Sequence, residues 1–259
     1  MKMLFGLMGF LIINLYMNLV PRLFEVNRAL SFMLYVCAFM VLVHWVAKLT
    51  GLRGVGALGL TGHYGWKRNM RIGILFGACL SGALYVYMAK LGVFQVGEML
   101  AMPAAAAFLA KAFSVAIFVS LMNELVVRGY VFAHLKGKIH SVFLVLLAAV
   151  IYALDDVWLT EFNASQALAS AVLGLSLGYV LLRTNSIWMS AGIGTGVSFV
   201  HSLFFGVPEL ASGNGLFVVV FDEGSSHLMN MAESYASLVL LIVILLVYDR
   251  MRINKAAKE

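Results

Sequence analysis

The chain is short of charge. Of its 259 residues only 12% are Asp, Glu, Lys or Arg, against roughly a quarter in an ordinary soluble domain. Proline is scarcer still: Pro21, Pro103 and Pro208 are the three present, and all fall at or beyond the ends of apolar runs, where a missing N–H matters little. The two cysteines, Cys37 and Cys79, sit inside such runs and read as small apolar packers, which leaves no disulfide framework to build on. There is no nucleic-acid motif, linker, low-complexity tract or visible repeat. The alternation of a barrel strand is missing as well.

What is present is apolar. Hydrophobic residues make up 63% of the chain and the mean hydropathy is +0.96. They fall into runs long enough to cross a bilayer, where each segment must satisfy its own backbone hydrogen bonds, as a helix does. Spans are predicted at roughly 3–20, 29–50, 71–91, 104–127, 140–158, 164–183, 187–206 and 234–248. The first follows Lys2 but lacks a small-x-small cleavage site before Pro21, so it reads as a retained helix. The predicted fold is all-α: one polytopic membrane bundle of about eight helices over residues 1–259.

Charge then orients the bundle. Lys2, Lys48, Arg53, Lys67, Arg68, Arg71, Arg128, Lys136, Lys138, Arg183, Arg250, Arg252, Lys255 and Lys258 are 14 of the 18 cations, and all fall on one side. Nine of the 12 acids fall on the other. The positive-inside rule makes the basic side cytoplasmic and places both termini there, in a multi-pass protein of the cell membrane; Arg22 and Arg28 run against it. The basic loop 48–71 lies near the inner leaflet, where it fixes topology or attracts anionic lipid.

Small residues recur every four positions: Ser170, Gly174 and Gly178 on the sixth span, Gly73 and Gly77 on the third. Such faces let helix backbones approach closely. Gly192, Gly194 and Gly196 have the wrong spacing for a phosphate loop and follow no strand.

Ionisable residues inside spans are functional candidates by default. The most informative group is Asn123-Glu124-Leu125-Val126-Val127-Arg128-Gly129. Glu124 and Arg128 are four apart on a helix expected to run to about Leu135, so they share a face and can pair. Glu124 then lies about 15–20 Å above the cytoplasmic loop that follows that helix. The pair can be chemical, or it can simply lock two helices. Lys111 can snorkel outward or pair with Asp155 or Asp156 on the next span. Those two aspartates also read as the start of an acidic outer loop, with Trp158 as interfacial anchor. His44, beside Trp45, reads as interfacial.

Asn-Glu-x-x-x-Arg-Gly followed by Tyr130 resembles the first motif of the CPBP family, the CAAX protease and bacteriocin-processing (Abi) membrane proteins, normally Glu-Glu-x-x-x-Arg-Gly. The stretch Gly174-Leu175-Ser176-Leu177-Gly178-Tyr179, then Arg183-Thr184-Asn185-Ser186-Ile187-Trp188, resembles the family's approach to its last motif. The similarity covers roughly residues 100–206. It implies a type II CAAX prenyl endopeptidase-like bundle, in which a glutamate activates water and histidines assist. The departures are specific. The family's Phe-x-x-x-His aligns with Tyr152-Ala153-Leu154-Asp155-Asp156, so Asp156 stands for the histidine. Its His-x-x-x-Asn/Asp aligns with Gly194 and Ser198. Asn123 replaces the leading glutamate. Glu124 and Arg128 remain.

These exchanges bear on hydrolysis, which needs a base for water and donors for the oxyanion. Asn123 does not titrate usefully and Gly194 has no side chain. His201 projects from nearly the same face as Gly194, but about 10 Å further outward, whereas catalytic geometry tolerates about 0.5 Å. Glu124, Asp156 and His201 suit a metal by ligand type but differ in depth. No cofactor is expected. The sequence therefore predicts a non-catalytic relative that serves as a membrane scaffold or regulator. Its partners would be the lipid bilayer and a membrane protein or lipidated peptide, with no nucleic acid. An active intramembrane endopeptidase with a rearranged site around Glu124 is the alternative. A transporter, lacking any inverted repeat, is the weaker one.

Overall fold

The computed structural model describes residues 2–23, 29–155, 163–207, 215–221 and 234–247. The helices are α1 (Lys2–Leu23), α2 (Ala29–Leu49), α3 (Trp66–Lys90), α4 (Met102–Asn123), α5 (Val131–Leu135), α6 (Ser141–Asp155), α7 (Ala164–Thr184) and α8 (Ile187–Phe205), followed by α9 (Ser234–Val247). A π-helical stretch, Glu124–Tyr130, joins α4 to α5, so Met102–Leu135 forms one apolar rod of 34 residues. Six helices are long and apolar enough to cross a membrane; α6 and α9 are shorter. A helix therefore lies in each of the eight predicted spans, and the third begins earlier than the sequence suggested, at Trp66.

Apolar side chains cover the exterior as well as the core. Leu4, Leu30, Leu34, Leu75, Val86, Phe143 and Leu246 are exposed, while Asn14, Ser81, Ser120, Glu124, Arg128, Ser176, Ser190 and Thr195 are buried. The core is mostly apolar as well, so the bundle differs from a water-soluble domain in its apolar exterior, which suits a hydrocarbon solvent. Several of the buried hydroxyls return to their own helix: Ser176 donates to the Val172 carbonyl at 2.9 Å and Thr195 to that of Ala191 at 2.7 Å. Cys37 and Cys79 lie within α2 and α3, free and exposed on the outside of their helices.

Glycine sets the closest helix pair. A Cβ on Gly73 would sit 2.5 Å from the Met189 carbonyl oxygen, and one on Gly192 would sit 2.5 Å from that of Met70. Gly77 and Gly196 meet the carbonyls of Ile193 and Ile74 in the same manner. The backbones of α3 and α8 thus interlock without side chains between them. The α7 face packs similarly on α6, with Gly174 against Ala149 and Gly178 against Val145.

Two features escaped the sequence reading. Phe94–Met99 (β1) and Phe217–Phe221 (β2) form an antiparallel pair, with Gln95 opposite Val220 and Val96 opposite Val219. This ribbon sits at the α8 C-terminal end of the bundle, where Phe94 contacts the rings of Phe204 and Phe205. At the opposite end, the loop after α2 folds back as a short 3₁₀ turn, Val55–Leu58. Leu58 is buried there, and a Cβ on Gly129 would lie 2.7 Å from its carbonyl oxygen. That loop is therefore tied into the bundle rather than only lying along the bilayer. The Trp188 indole donates to the Thr61 carbonyl at 2.8 Å, and His63 Nε2 is 2.7 Å from Ser186 Oγ.

Candidate functional site

The motif residues meet where the π-helical stretch crosses α8. The helix there was expected to be regular. A π turn inserts one extra residue and often marks a functional position, yet it preserves the contact: Arg128 Nη1 still donates to Glu124 Oε1. Glu124 is 2% exposed and Arg128 0%, so the two charges depend on one another in the absence of water. Ser190 Oγ donates to the second carboxylate oxygen, Oε2, at 2.6 Å. The guanidinium lies over the Tyr152 ring, 4.9 Å from its centroid, a cation–π contact that strengthens when desolvated. Among the described residues Glu124–Arg128 is the single ion pair.

Ser190 was not singled out from the sequence. The available signal was its position, a hydroxyl on the apolar α8 one helical turn before Gly194. The three residues Ser190, Gly194 and Ser198 recur every four positions, forming a column along one face of α8. Ser190 holds Glu124. A Cβ on Gly194 would lie 2.8 Å from Ser120 Oγ, itself one turn before Glu124 on α4. Ser198 lines a cavity above. Gly194 thus faces the helix that carries Glu124, and Ser120 fills the space beside it.

That packing gives a checkable coupling. A helical Gly→Ala exchange normally gains about 1 kcal/mol, but at position 194 the new methyl meets Ser120. Gly194→Ala is expected to be more favourable by about 1 kcal/mol in a Ser120→Ala background than in the wild-type background. Thermal unfolding of the four proteins in detergent measures the difference.

The cavity has a volume of about 340 Å³ and lies among α3, α4, α6, α7, α8 and α9. Leu80, Leu84, Val115, Leu173 and Leu240 supply apolar wall; Tyr85, Tyr152, Gln166, Ser198 and His201 supply polar atoms. His201 Nδ1 is 2.8 Å from the Tyr85 hydroxyl. Glu124 and Arg128 are not among the cavity-lining residues; Tyr152 both lines the cavity and stacks on Arg128. The structure therefore gathers Glu124, Arg128 and Ser190 into one buried cluster, with half-buried Tyr152 between it and the cavity whose wall holds Ser198 and His201.

The remaining candidates lie elsewhere. Lys111 is exposed on α4, and the expected pair with Asp155 is not formed: Asp155 Oδ1 accepts from Asn14 Nδ2 at 2.8 Å instead, tying α6 to α1. Asn123 is half-buried. Asp156 and Trp158 lie outside the described residues. Among the described residues no three of His, Cys, Asp and Glu converge as a metal would require.

Residues 104–200, from α4 into α8, match the sequence model of the family described as Type II CAAX prenyl endopeptidase Rce1-like. The matched stretch contains the whole buried cluster and the α8 column, and it supports membership of the CPBP family. No curated protein and no solved structure matches the chain.

Proposed function

We propose that this chain, a multi-pass membrane protein of the CPBP family, is a non-catalytic relative of the intramembrane endopeptidases that binds its partner rather than cleaving it. The observation that carries this reading is the engagement of Glu124. Both of its oxygens are occupied, one by Arg128 and the other by Ser190, and it does not line the cavity. A carboxylate that activates water must reach both the water and the substrate. Of the α8 column Ser198 faces the cavity, with His201 one turn further, and among the described residues no carboxylate lines that space beside them. The histidine positions hold Gly194 and Asp156, and the first glutamate is Asn123.

The cavity suits a bound apolar group. Its volume falls at the lower end of ligand sites, ~300–1,000 Å³, and its mixture of aliphatic wall with a few hydroxyls and an imidazole is typical of them. An apolar or lipidated peptide, or a side chain from a membrane-embedded partner, fits that chemistry. The bundle would then act as a scaffold or regulator with both termini cytoplasmic.

The test uses purified full-length protein in detergent and a photoactivatable farnesyl-cysteine peptide. Labelling without cleavage is expected. Ser198→Trp, which projects an indole into the cavity, should weaken labelling about tenfold or more, equivalent to about 1.4 kcal/mol. Peptide cleavage that disappears in Glu124→Gln would establish the endopeptidase reading instead.

A further inference from the structure

The N-terminal end of α3 carries a cluster that the site above does not use. Tyr64, Lys67, Arg68, Arg71, Ile72 and Leu75 line an open groove of about 370 Å³ on the outside of the bundle. All six side chains are exposed; Tyr64 precedes α3, and the other five fall on the face of α3 opposite the buried Gly73 and Gly77. The order along the chain is specific: an aromatic ring, then three cations, then aliphatic side chains.

Length puts the cations at headgroup depth. The helix has 25 residues, a rise of about 37 Å against a hydrocarbon core of about 30 Å. The segment from Ile72 onward is enough to cross that core, so the turn holding Lys67, Arg68 and Arg71 emerges from it. Trp66 and Trp188, with ring centroids 4.5 Å apart, lie at the same level, as interfacial aromatics do.

Among the described residues no acid pairs with these cations. No Asp or Glu occurs between Glu25 and Glu98. Among the described residues Lys67, Arg68 and Arg71 take no part in an ion pair; Lys67 Nζ lies over the Trp66 ring at 5.6 Å. Ordinary topology signals need only a surplus of positive charge somewhere in the loop. Here three cations line one groove whose lower wall, Ile72 and Leu75, runs into the hydrocarbon. A phosphate with an attached acyl chain matches both parts: the anion meets the cations, and the chain follows the aliphatic wall.

We propose that this groove is a binding site for one anionic phospholipid from the leaflet at the N-terminal end of α3. The phosphodiester is held by Lys67, Arg68 and Arg71, and one acyl chain lies along Ile72 and Leu75. The site is independent of the cavity and of the reading given to it.

Native mass spectrometry of the purified full-length protein tests this, with palmitoyl-oleoyl phosphatidylglycerol and palmitoyl-oleoyl phosphatidylcholine as probes. Each cation beside an anionic headgroup strengthens binding by a factor of about five. One phosphatidylglycerol is expected to remain bound at activation energies that strip phosphatidylcholine. Lys67→Gln/Arg68→Gln/Arg71→Gln should weaken its affinity on the order of a hundredfold. Lys136→Gln/Lys138→Gln, which removes charge from another basic loop, should leave it unchanged. Arg68→Gln alone should lower affinity by a factor of about five in protein whose melting temperature matches wild type, so loss through misfolding is distinguished. Inorganic phosphate at millimolar concentration should not displace the lipid. Equal retention of the two lipids, equal losses in the two multiple variants, or displacement by phosphate would each overturn the proposal.

Discussion

Gly77→Leu is expected to prevent this protein from folding to a stable bundle. The α3 and α8 backbones are in contact at this point, and a Cβ on Gly77 falls on the Ile193 carbonyl. The obstacle is helix backbone on both sides. No rotamer change relieves it, unlike the clash at Gly194, where the end of a serine side chain can turn away. Relief requires the helices to separate, which opens Gly73–Met189, Gly192–Met70 and Gly196–Ile74 together. Overpacking of a well-filled core destabilises by about 1–3 kcal/mol where neighbours can shift. With two interlocked backbones the loss should exceed about 3 kcal/mol, a large part of the stability of a typical domain. Gly82→Leu on the same helix is the control, because a Cβ there meets nothing within 4 Å. Size-exclusion profiles and melting curves in detergent should show an intact, monodisperse Gly82→Leu protein and an aggregated or absent Gly77→Leu protein. Comparable behaviour of the two would mean that the α3–α8 interlock does not govern folding.

The same contact shows what a sequence can and cannot disclose. The helix positions were legible, because long apolar runs separated by charged loops allow few alternatives in a bilayer. So was the small-residue face on α3, from the four-residue spacing of Gly73 and Gly77. Its partner was not. Gly192 and Gly196 have the same spacing, but Gly194 between them turned attention to a glycine-rich loop, and long-range pairing leaves no mark within either segment. The run Phe-Val-Val-Val-Phe at 217–221 carried a strand signal that hydrophobicity alone concealed. Asn14 and Asn18 are two amides in one apolar run, and an intramembrane polar group seeks a partner; that Asn14 finds Asp155 depends on which helices adjoin.

At the site, spacing revealed the Glu124–Arg128 pair and the resemblance supplied its context. Residues four apart face one another on an α-helix, and in this chain the contact also survives a π turn, so the pairing could be read while the distortion could not. Ser190 remained hidden because its role depends on α8 crossing α4 at Glu124. The cavity was equally hidden, since six helices contribute to its wall. That Glu124 lies outside that wall is likewise a property of the assembled bundle.

Arg128→Met is expected to destabilise the protein by about 3–5 kcal/mol, because it strands a buried carboxylate without its counter-charge. Glu124→Gln should have a loss of the same order, since it leaves the fully buried guanidinium charged beside a neutral amide, even though an amide can still bond Ser190. The double variant Glu124→Met/Arg128→Met should be far more stable than the sum of the two single losses predicts. Replacing a buried ion pair by apolar side chains of similar size is often neutral or stabilising, and this coupling is what a double-mutant cycle isolates. The comparison separates the two functional readings without a substrate in hand. If Glu124 is a catalytic base with access to water, Glu124→Gln leaves the melting temperature near wild type. If the pair is a structural lock beneath Tyr152, Glu124→Gln lowers the melting temperature by several degrees and the double variant restores most of it. Ser190→Ala gives the smaller version of the same effect, about 1–3 kcal/mol, since it removes a buried hydrogen bond to an ionised group. Its loss should vanish in the Glu124→Met/Arg128→Met background, where no carboxylate remains for the hydroxyl to serve.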